Sequence, residues 1–251
     1  MATPPPRAAM TKVRADPYRA AHKALRVVLA RLLENAGRID FGDRASIGPF
    51  RAELEAAVHQ LSMHARMEVQ FVDPLLGSYD PACASAIQHD HVELERQLHH
   101  AAKALHEAEQ ILSDRADPGD RDRADARERG HAFYLALSRV VASYLTHFAD
   151  EEERVLPLLH RHVPQETLDA ALAEARRRLA PIDVAHTAGL MLRAISHPER
   201  VALMNEEPSA GLYAVARLTL TDAEWTALEE DADPGDLAAG APPDEEPGRG
   251  S

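Results

Sequence analysis

The chain has 251 residues, of which 45% are hydrophobic and 27% are charged, as is usual for a folded globular protein. Its formal net charge of −13 excludes nucleic acids and anionic membranes as routine partners, and no apolar run is long enough to span a bilayer. The N-terminus lacks the apolar core of a secretory signal, and a single cysteine excludes an internal disulfide. Together these features predict a cytoplasmic protein.

Helix-start signals divide the first part of the chain. Residues 1–15, which include three consecutive prolines, are predicted to be a disordered leader. The Asp16–Pro17 pair is a typical helix start, and apolar residues follow at helical spacing for about twenty positions. A loop that includes the Gly48–Pro49 pair is expected to lead into the second helix.

A second Asp–Pro pair, Asp80–Pro81, predicts a third helix that persists to about Ser113. The charged, turn-rich stretch from there to Gly130 is predicted to be an exposed loop, with the option that its end already belongs to the fourth helix. Four long amphipathic helices joined by loops predict an up-and-down four-helix bundle over residues 16–162.

The chain changes character after residue 162. Residues 163–230 have shorter helical patterns, and Ser196-x-x-Glu199 and Thr221-x-x-Glu224 read as capping boxes. A small core is expected from Val201, Leu203, Met204, Leu212, Val215, Leu218, Trp225 and Leu228. Residues 231–251 are predicted to be an acidic disordered tail. The predicted fold is therefore all-α, with a four-helix bundle and a smaller C-terminal helical appendix.

An internal repeat contains the residues suited to metal chemistry. In each half a lone histidine has leucine at +3 and +7, and a later helix carries histidine, then glutamate at +4 and proline at +10. The six polar positions are His22, His64, Glu68, His91, His147 and Glu151. Because residues four apart lie on one helical face, each His–Glu pair projects in one direction, and inward faces would bring all six groups together.

Burying six such groups is costly unless they pair with one another or coordinate a cation. Glu68 and Glu151 would repel each other, whereas two divalent ions bridged by both carboxylates would remove that cost and leave two histidines for each metal. Mixed imidazole and carboxylate ligands suit iron, manganese or zinc, so the ligand types alone do not select the metal. The metals would retain open positions for a small ligand.

The doubled His-x3-Glu-x5-Pro pattern resembles the hemerythrin-like, or HHE cation-binding, family over roughly residues 16–162. The resemblance implies that the six positions hold two non-haem iron ions with an oxo or hydroxo bridge. It also implies that Glu68 and Glu151 bridge the ions, and that iron binds O2, NO or peroxide.

The sequence departs from the oxygen-carrying invertebrate hemerythrins, which use a His-x3-His pair on the third helix and His-x4-Asp on the fourth. Here Ile87 stands four residues before His91, and Glu151 follows His147 by four. The pattern is more similar to bacterial members with four histidines and two glutamates, some of which are linked to repair of iron centres under nitrosative stress.

Three functions are consistent with this resemblance. The leading hypothesis is a di-iron protein that binds O2, NO or peroxide for sensing, scavenging or a stress response. The alternatives are a di-iron oxidase or oxygenase that activates O2 to oxidise an organic substrate, and a protein that repairs iron centres or donates iron. Whether the protein is an enzyme stays open. A purely structural bundle, with carboxylates hydrogen-bonded to histidines, is the remaining alternative.

Several residues near the repeat have competing interpretations. His89 competes with His91 as the ligand on the third helix, and the parallel with His22 favours His91. Glu95 is either an ordinary surface group, a group beside the metals or an extra ligand, and Tyr144 is interpreted as a core residue. Glu152 and Glu153 are predicted to be a solvated acidic pair outside the site. Cys83 is predicted to have no role in the site.

Overall fold

The computed structural model describes residues 14–113, 118–206 and 209–232. Every regular element in these ranges is helical, which confirms the all-α prediction. None of the described helices is both long and apolar enough to cross a membrane. The predicted leader up to residue 13 and the predicted tail from residue 233 lie outside the described residues, so both stay predictions.

Four long helices form the main body: α1 (Arg19–Ala36), α2 (Arg44–Met67), α4 (Pro81–Ser113) and α5 (Asp120–Asp150), with the short α3 (Asp73–Gly77) before α4. Both α1 and α4 pack against α2 and against α5. Their shared core is apolar, and each long helix contributes at least one nearly inaccessible leucine to it, for example Leu29, Leu61, Leu98 and Leu137. These leucines follow the helical spacing of the sequence, so burial of that face holds the four helices together.

Two five-residue segments of π-helix, Glu68–Val72 and Glu151–Val155, continue α2 and α5. The second segment leads into α6 (Leu156–His162). A second apolar cluster lies at this end of the molecule and includes Tyr18, Leu76 and Leu159. The end of the helical body where the repeat residues lie is therefore closed by packed apolar side chains.

The C-terminal helices are α7 (Gln165–Arg178), α8 (Pro181–Ala194), α9 (His197–Glu206), α10 (Ala210–Thr219) and α11 (Asp222–Asp231). Helix α8 packs against α1 and α10, and α9 packs against α11. Their core includes Leu192, Met204 and Leu228. The prediction that Leu218 belongs to this core is wrong, since it is 88% exposed and lies on the outer face of α10.

The Gly48–Pro49 pair lies inside α2 and not in the predicted loop. The helix begins after Asp43, whose carboxylate accepts a hydrogen bond from the backbone N–H of Ala45 at 3.0 Å. Proline in the second turn removes one backbone hydrogen bond, and burial of the neighbouring Ile47 and Phe50 compensates for that loss. Tertiary packing therefore overrides the local turn signal.

The predicted loop before the fourth helix is also wrong over most of its length, because α5 already begins at Asp120. The backbone N–H of Gly119 donates to the carboxylate of Asp122 at 3.0 Å, which supports the helix start. One turn further on, Ala126 and Gly130 are buried against the core. The charged residues of the stretch that belong to α5 are exposed or partly exposed, which explains why their sequence is typical of a loop.

Replacing Thr221 with alanine is expected to lower the free energy of unfolding by about 1 kcal/mol. The Thr221 hydroxyl accepts the backbone N–H of Glu224 at 3.3 Å, and the Glu224 carboxylate accepts the backbone N–H of Thr221 at 3.0 Å. Urea unfolding followed by the fluorescence of Trp225, the single tryptophan of the chain, reports on this helix. The exposed Thr226→Ala in the same helix is the control, and equal midpoints for both variants would contradict the capping role.

Candidate metal centre

The structure brings the six repeat residues together at one end of the helical body. Each of the four long helices contributes one histidine, and the two glutamates are the first residues of the two π-helical segments. Side-chain nitrogen and oxygen atoms from these six residues form two groups in which a cation could be held: His22, His64, Glu68 and Glu151, and Glu68, His91, His147 and Glu151. Both carboxylates belong to both groups.

Each π-helical segment is closely followed by one of the repeated prolines. The backbone N–H of Asp73 bonds to the carbonyl of Glu68, and that of Leu156 bonds to the carbonyl of Glu151, five residues earlier in each case. The next residue is proline in both halves, so it has no N–H with which to continue the α-helical pattern. Isolated π-helical turns of this kind are frequent at functional sites, and here both begin at the shared carboxylates.

In the first group the polar atoms approach one another closely. The Nε2 atom of His22 is 2.9 Å from Nε2 of His64 and 3.3 Å from Oε2 of Glu151. The Nε2 atom of His64 is 2.9 Å from Oε1 of Glu68. All four donor atoms in the group lie within 4.8 Å of one another. This separation suits one cation, because ligands at about 2.0–2.2 Å from a metal lie up to about 4.4 Å apart.

The second group has matching geometry. The Nε2 atom of His91 is 3.4 Å from Oε2 of Glu68 and 3.6 Å from Oε1 of Glu151. The Nε2 atom of His147 is 3.2 Å from the same oxygen of Glu151. Each carboxylate therefore faces histidines of both groups, which is the arrangement that two bridged metal ions require.

Burial makes this cluster costly without a cation. His22 and Glu151 are 0% exposed, and Glu68 is 4% exposed. All four carboxylate oxygens of Glu68 and Glu151 are buried and accept no hydrogen bond that meets normal geometry. Unsatisfied buried polar atoms are rare in folded proteins, and charged ones carry the largest desolvation cost. Two divalent ions would satisfy these oxygens, so the residues fit the dinuclear centre that the repeat predicts.

Burial and the neighbouring carboxylates act in opposite directions on the pKa values of His22 and His91. Burial is the largest influence on His22 and His91 and lowers the pKa of each, but Glu151 and Glu68 outweigh it and raise the pKa values to about 9 and about 10. Burial and the charge of Glu68 raise the pKa of Glu151, but His147, His22 and His91 outweigh both and lower it to about 2. A metal ion would compete with protons for the histidine ring nitrogens, because imidazole binds metal only in its neutral form.

The residues with competing interpretations lie as follows. His89 is exposed and belongs to neither group, whereas His91 faces both carboxylates. Glu95 is exposed and also lies outside both groups. Tyr144 is buried in the core cluster, and burial, followed by the charges of Glu95 and Glu68, raises the pKa of its hydroxyl. Cys83 is buried, and burial raises the pKa of its thiol, so it is not an activated thiolate.

Glu152 is not solvated as predicted. Its Oε1 atom lies 2.9 Å from Nδ1 of His22 and 2.7 Å from Nη1 of Arg26, and only 30% of its side chain is exposed. The acidic run Glu151–Glu153 concealed this contact, since the partner histidine is 130 residues away in the chain. One feature of the sequence distinguishes Glu152: the equivalent position in the first half of the repeat is occupied by the apolar Val69.

Asp73 was also missed by the sequence analysis. It is 2% exposed, and its Oδ2 atom has no hydrogen-bond partner within the described structure. Burial is the main cause that raises its pKa to about 6, and the charges of His91 and the two shared carboxylates also act on it. Its equivalent in the second half of the repeat is the apolar Leu156, so the surroundings of the two halves differ.

Comparisons with models of known protein families, with curated proteins and with solved structures each gave no match.

Proposed function

We propose that this protein is a hemerythrin-like, non-haem di-iron protein that binds O2, NO or peroxide for sensing, scavenging or a stress response. One observation carries the proposal: two groups of metal-binding residues share both of their carboxylates, Glu68 and Glu151. Sharing at both positions is the geometry of a carboxylate-bridged pair of ions, whereas two independent single-metal sites would have separate carboxylates.

In this proposal, the helices α1, α2, α4 and α5 form an up-and-down four-helix bundle. The bundle and its short flanking segments span residues 16–162. Bundles of this kind build dinuclear sites from inward side chains on facing helices. Two observations support this interpretation. Both α1 and α4 contact α2 and α5, and each of the four helices contributes one histidine to the site.

The residues divide into bridging and terminal roles. Glu68 and Glu151 would be ligands of both ions, while His22 and His64 would hold one ion and His91 and His147 would hold the other. Bound iron would supply open coordination positions and redox chemistry for a small ligand. The side chain of His64 is the most exposed of the six at 14%, and this degree of enclosure favours a diatomic molecule or peroxide over a large organic substrate.

Metal analysis and optical spectroscopy of protein from iron-replete cells test the proposal. We expect about two irons per chain and near-ultraviolet absorption typical of a di-ferric centre. His91→Ala is expected to reduce both signals, whereas His89→Ala, two positions away on the same helix but exposed, should leave both unchanged. Zinc or no metal in the wild-type protein, or equal behaviour of the two variants, would speak against the proposal.

The bound ligand is tested separately by anaerobic titration of the di-ferrous protein. We expect additions of O2 and of NO to change the absorption spectrum in proportion to the di-iron content. Absence of a spectral change with either gas would overturn the ligand assignment while leaving the metal centre itself intact.

A further inference from the structure

The two halves of the metal centre hold their histidines differently. In the first half, His22 is fixed on three sides: Nδ1 contacts Oε1 of Glu152 at 2.9 Å, its ring stacks on Phe148 with centroids 4.3 Å apart, and its Nε2 atom points into the cluster. Arg26 in turn holds Glu152 at 2.7 Å and lies over the Phe148 ring at 5.7 Å. These contacts leave the His22 ring little freedom to rotate.

The second half has no such support. The Nδ1 atoms of His91 and His147 are buried and have no hydrogen-bond partner within the described structure. In the first copy of the sequence repeat, Val69 stands at the position equivalent to Glu152. The Val69 side chain accepts no hydrogen bond and is 43% exposed. The difference in support between the two halves of the metal centre is therefore specified by the sequence itself.

A carboxylate on the far nitrogen of a metal-binding histidine has defined consequences. It retains the proton on Nδ1, directs the lone pair of Nε2 towards the metal and increases the basicity of the ring. Loss of such a partner typically weakens metal binding about 10–100-fold. An imidazole that is already oriented also loses less conformational entropy when the metal binds.

We propose that Glu152 is a positioning residue for His22, and that it makes the His22–His64 metal position the tighter of the two and the first to fill. This inference rests on the dinuclear centre proposed above. The two ions then differ in affinity even though their direct ligands are the same in type, two histidines and two shared carboxylates each.

Titration of the metal-free protein with Co²⁺, followed by visible absorption and calorimetry, tests the inference. We expect two binding steps in the wild-type protein, of which His64→Ala removes the tighter and His147→Ala the weaker. Glu152→Ala should weaken the tighter step about 10–100-fold and leave the weaker step unchanged. Glu152→Gln, whose amide oxygen still accepts a hydrogen bond from Nδ1–H but lacks the charge, should recover part of the lost affinity.

The neighbouring Glu153→Ala is the matched control, because Glu153 is exposed and equally acidic. Circular dichroism of the metal-free variants separates a loss of affinity from a loss of folding. If Glu152→Ala binds Co²⁺ as Glu153→Ala does, the positioning role is overturned and the dinuclear centre stands. If the wild-type protein binds no Co²⁺, both proposals are overturned. A tighter step that survives His64→Ala would overturn the order of filling.

Discussion

Replacing either shared carboxylate, Glu68 or Glu151, with alanine is expected to remove both metal ions, whereas replacing His64 or His147 should weaken only one. The reason is geometric, since each glutamate belongs to both groups of binding residues and each histidine to one. Without one carboxylate both ions lose a ligand and the site loses one of the two negative charges that balance them. This is the largest functional effect expected from any single substitution in the chain.

The measurement is the metal content of each variant after loading with iron and removal of excess by gel filtration. We expect about two irons in the wild-type protein, about one in each histidine variant and close to none in each glutamate variant. Helix content from circular dichroism shows whether each variant is folded. A folded Glu68→Ala variant that retains one tightly bound iron would show that the carboxylate is not shared, and would refute the bridged arrangement.

Replacing Gly130 with alanine is expected to give the largest loss of stability outside the metal centre, about 1–3 kcal/mol in the free energy of unfolding. Gly130 lies inside α5, and a Cβ atom at this position would overlap the ring of Phe41. Phe41 is 6% exposed and packs edge-to-face on Phe133, so displacing its ring from Gly130 would break a core contact. The substitution therefore forces the loop between α1 and α2 away from α5.

Urea unfolding followed by circular dichroism measures this effect. Gly211→Ala is the matched control, because Gly211 also lies in a helix but a Cβ atom there would meet nothing within 4 Å. Alanine has the higher helix propensity, so the control is expected to gain a few tenths of a kcal/mol or more. An unfolding midpoint for Gly130→Ala at or above that of Gly211→Ala would contradict the close approach of Phe41.

Local signals in the sequence predicted the structure correctly where residues close in sequence determine the backbone conformation. The Asp80–Pro81 pair places the start of α4 correctly, and the helix persists through Ser113 as expected. The Thr221-x-x-Glu224 pattern forms the capping box that it predicts. Such features depend on backbone groups within one helical turn, and residues three or four apart in the sequence are enough to specify them.

Local signals failed where a distant part of the chain supplies the compensating contact. Pro49 reads as a turn residue, yet burial of Ile47 and Phe50 retains it in α2. The charged stretch after residue 118 reads as a loop, yet packing of Ala126 and Gly130 against the core makes it helical. In each case the decisive energy comes from apolar area buried between helices that are far apart in the chain.

The candidate site shows the same division. The repeat alone identified the six residues that the structure brings together, because one helical face and a doubled pattern are visible in a linear chain. The division of the four histidines between the two groups, the contact of Glu152 with His22 and the burial of Asp73 were decided by the tertiary structure. Those features join helices separated by up to 130 residues, and no local spacing rule reaches across that distance.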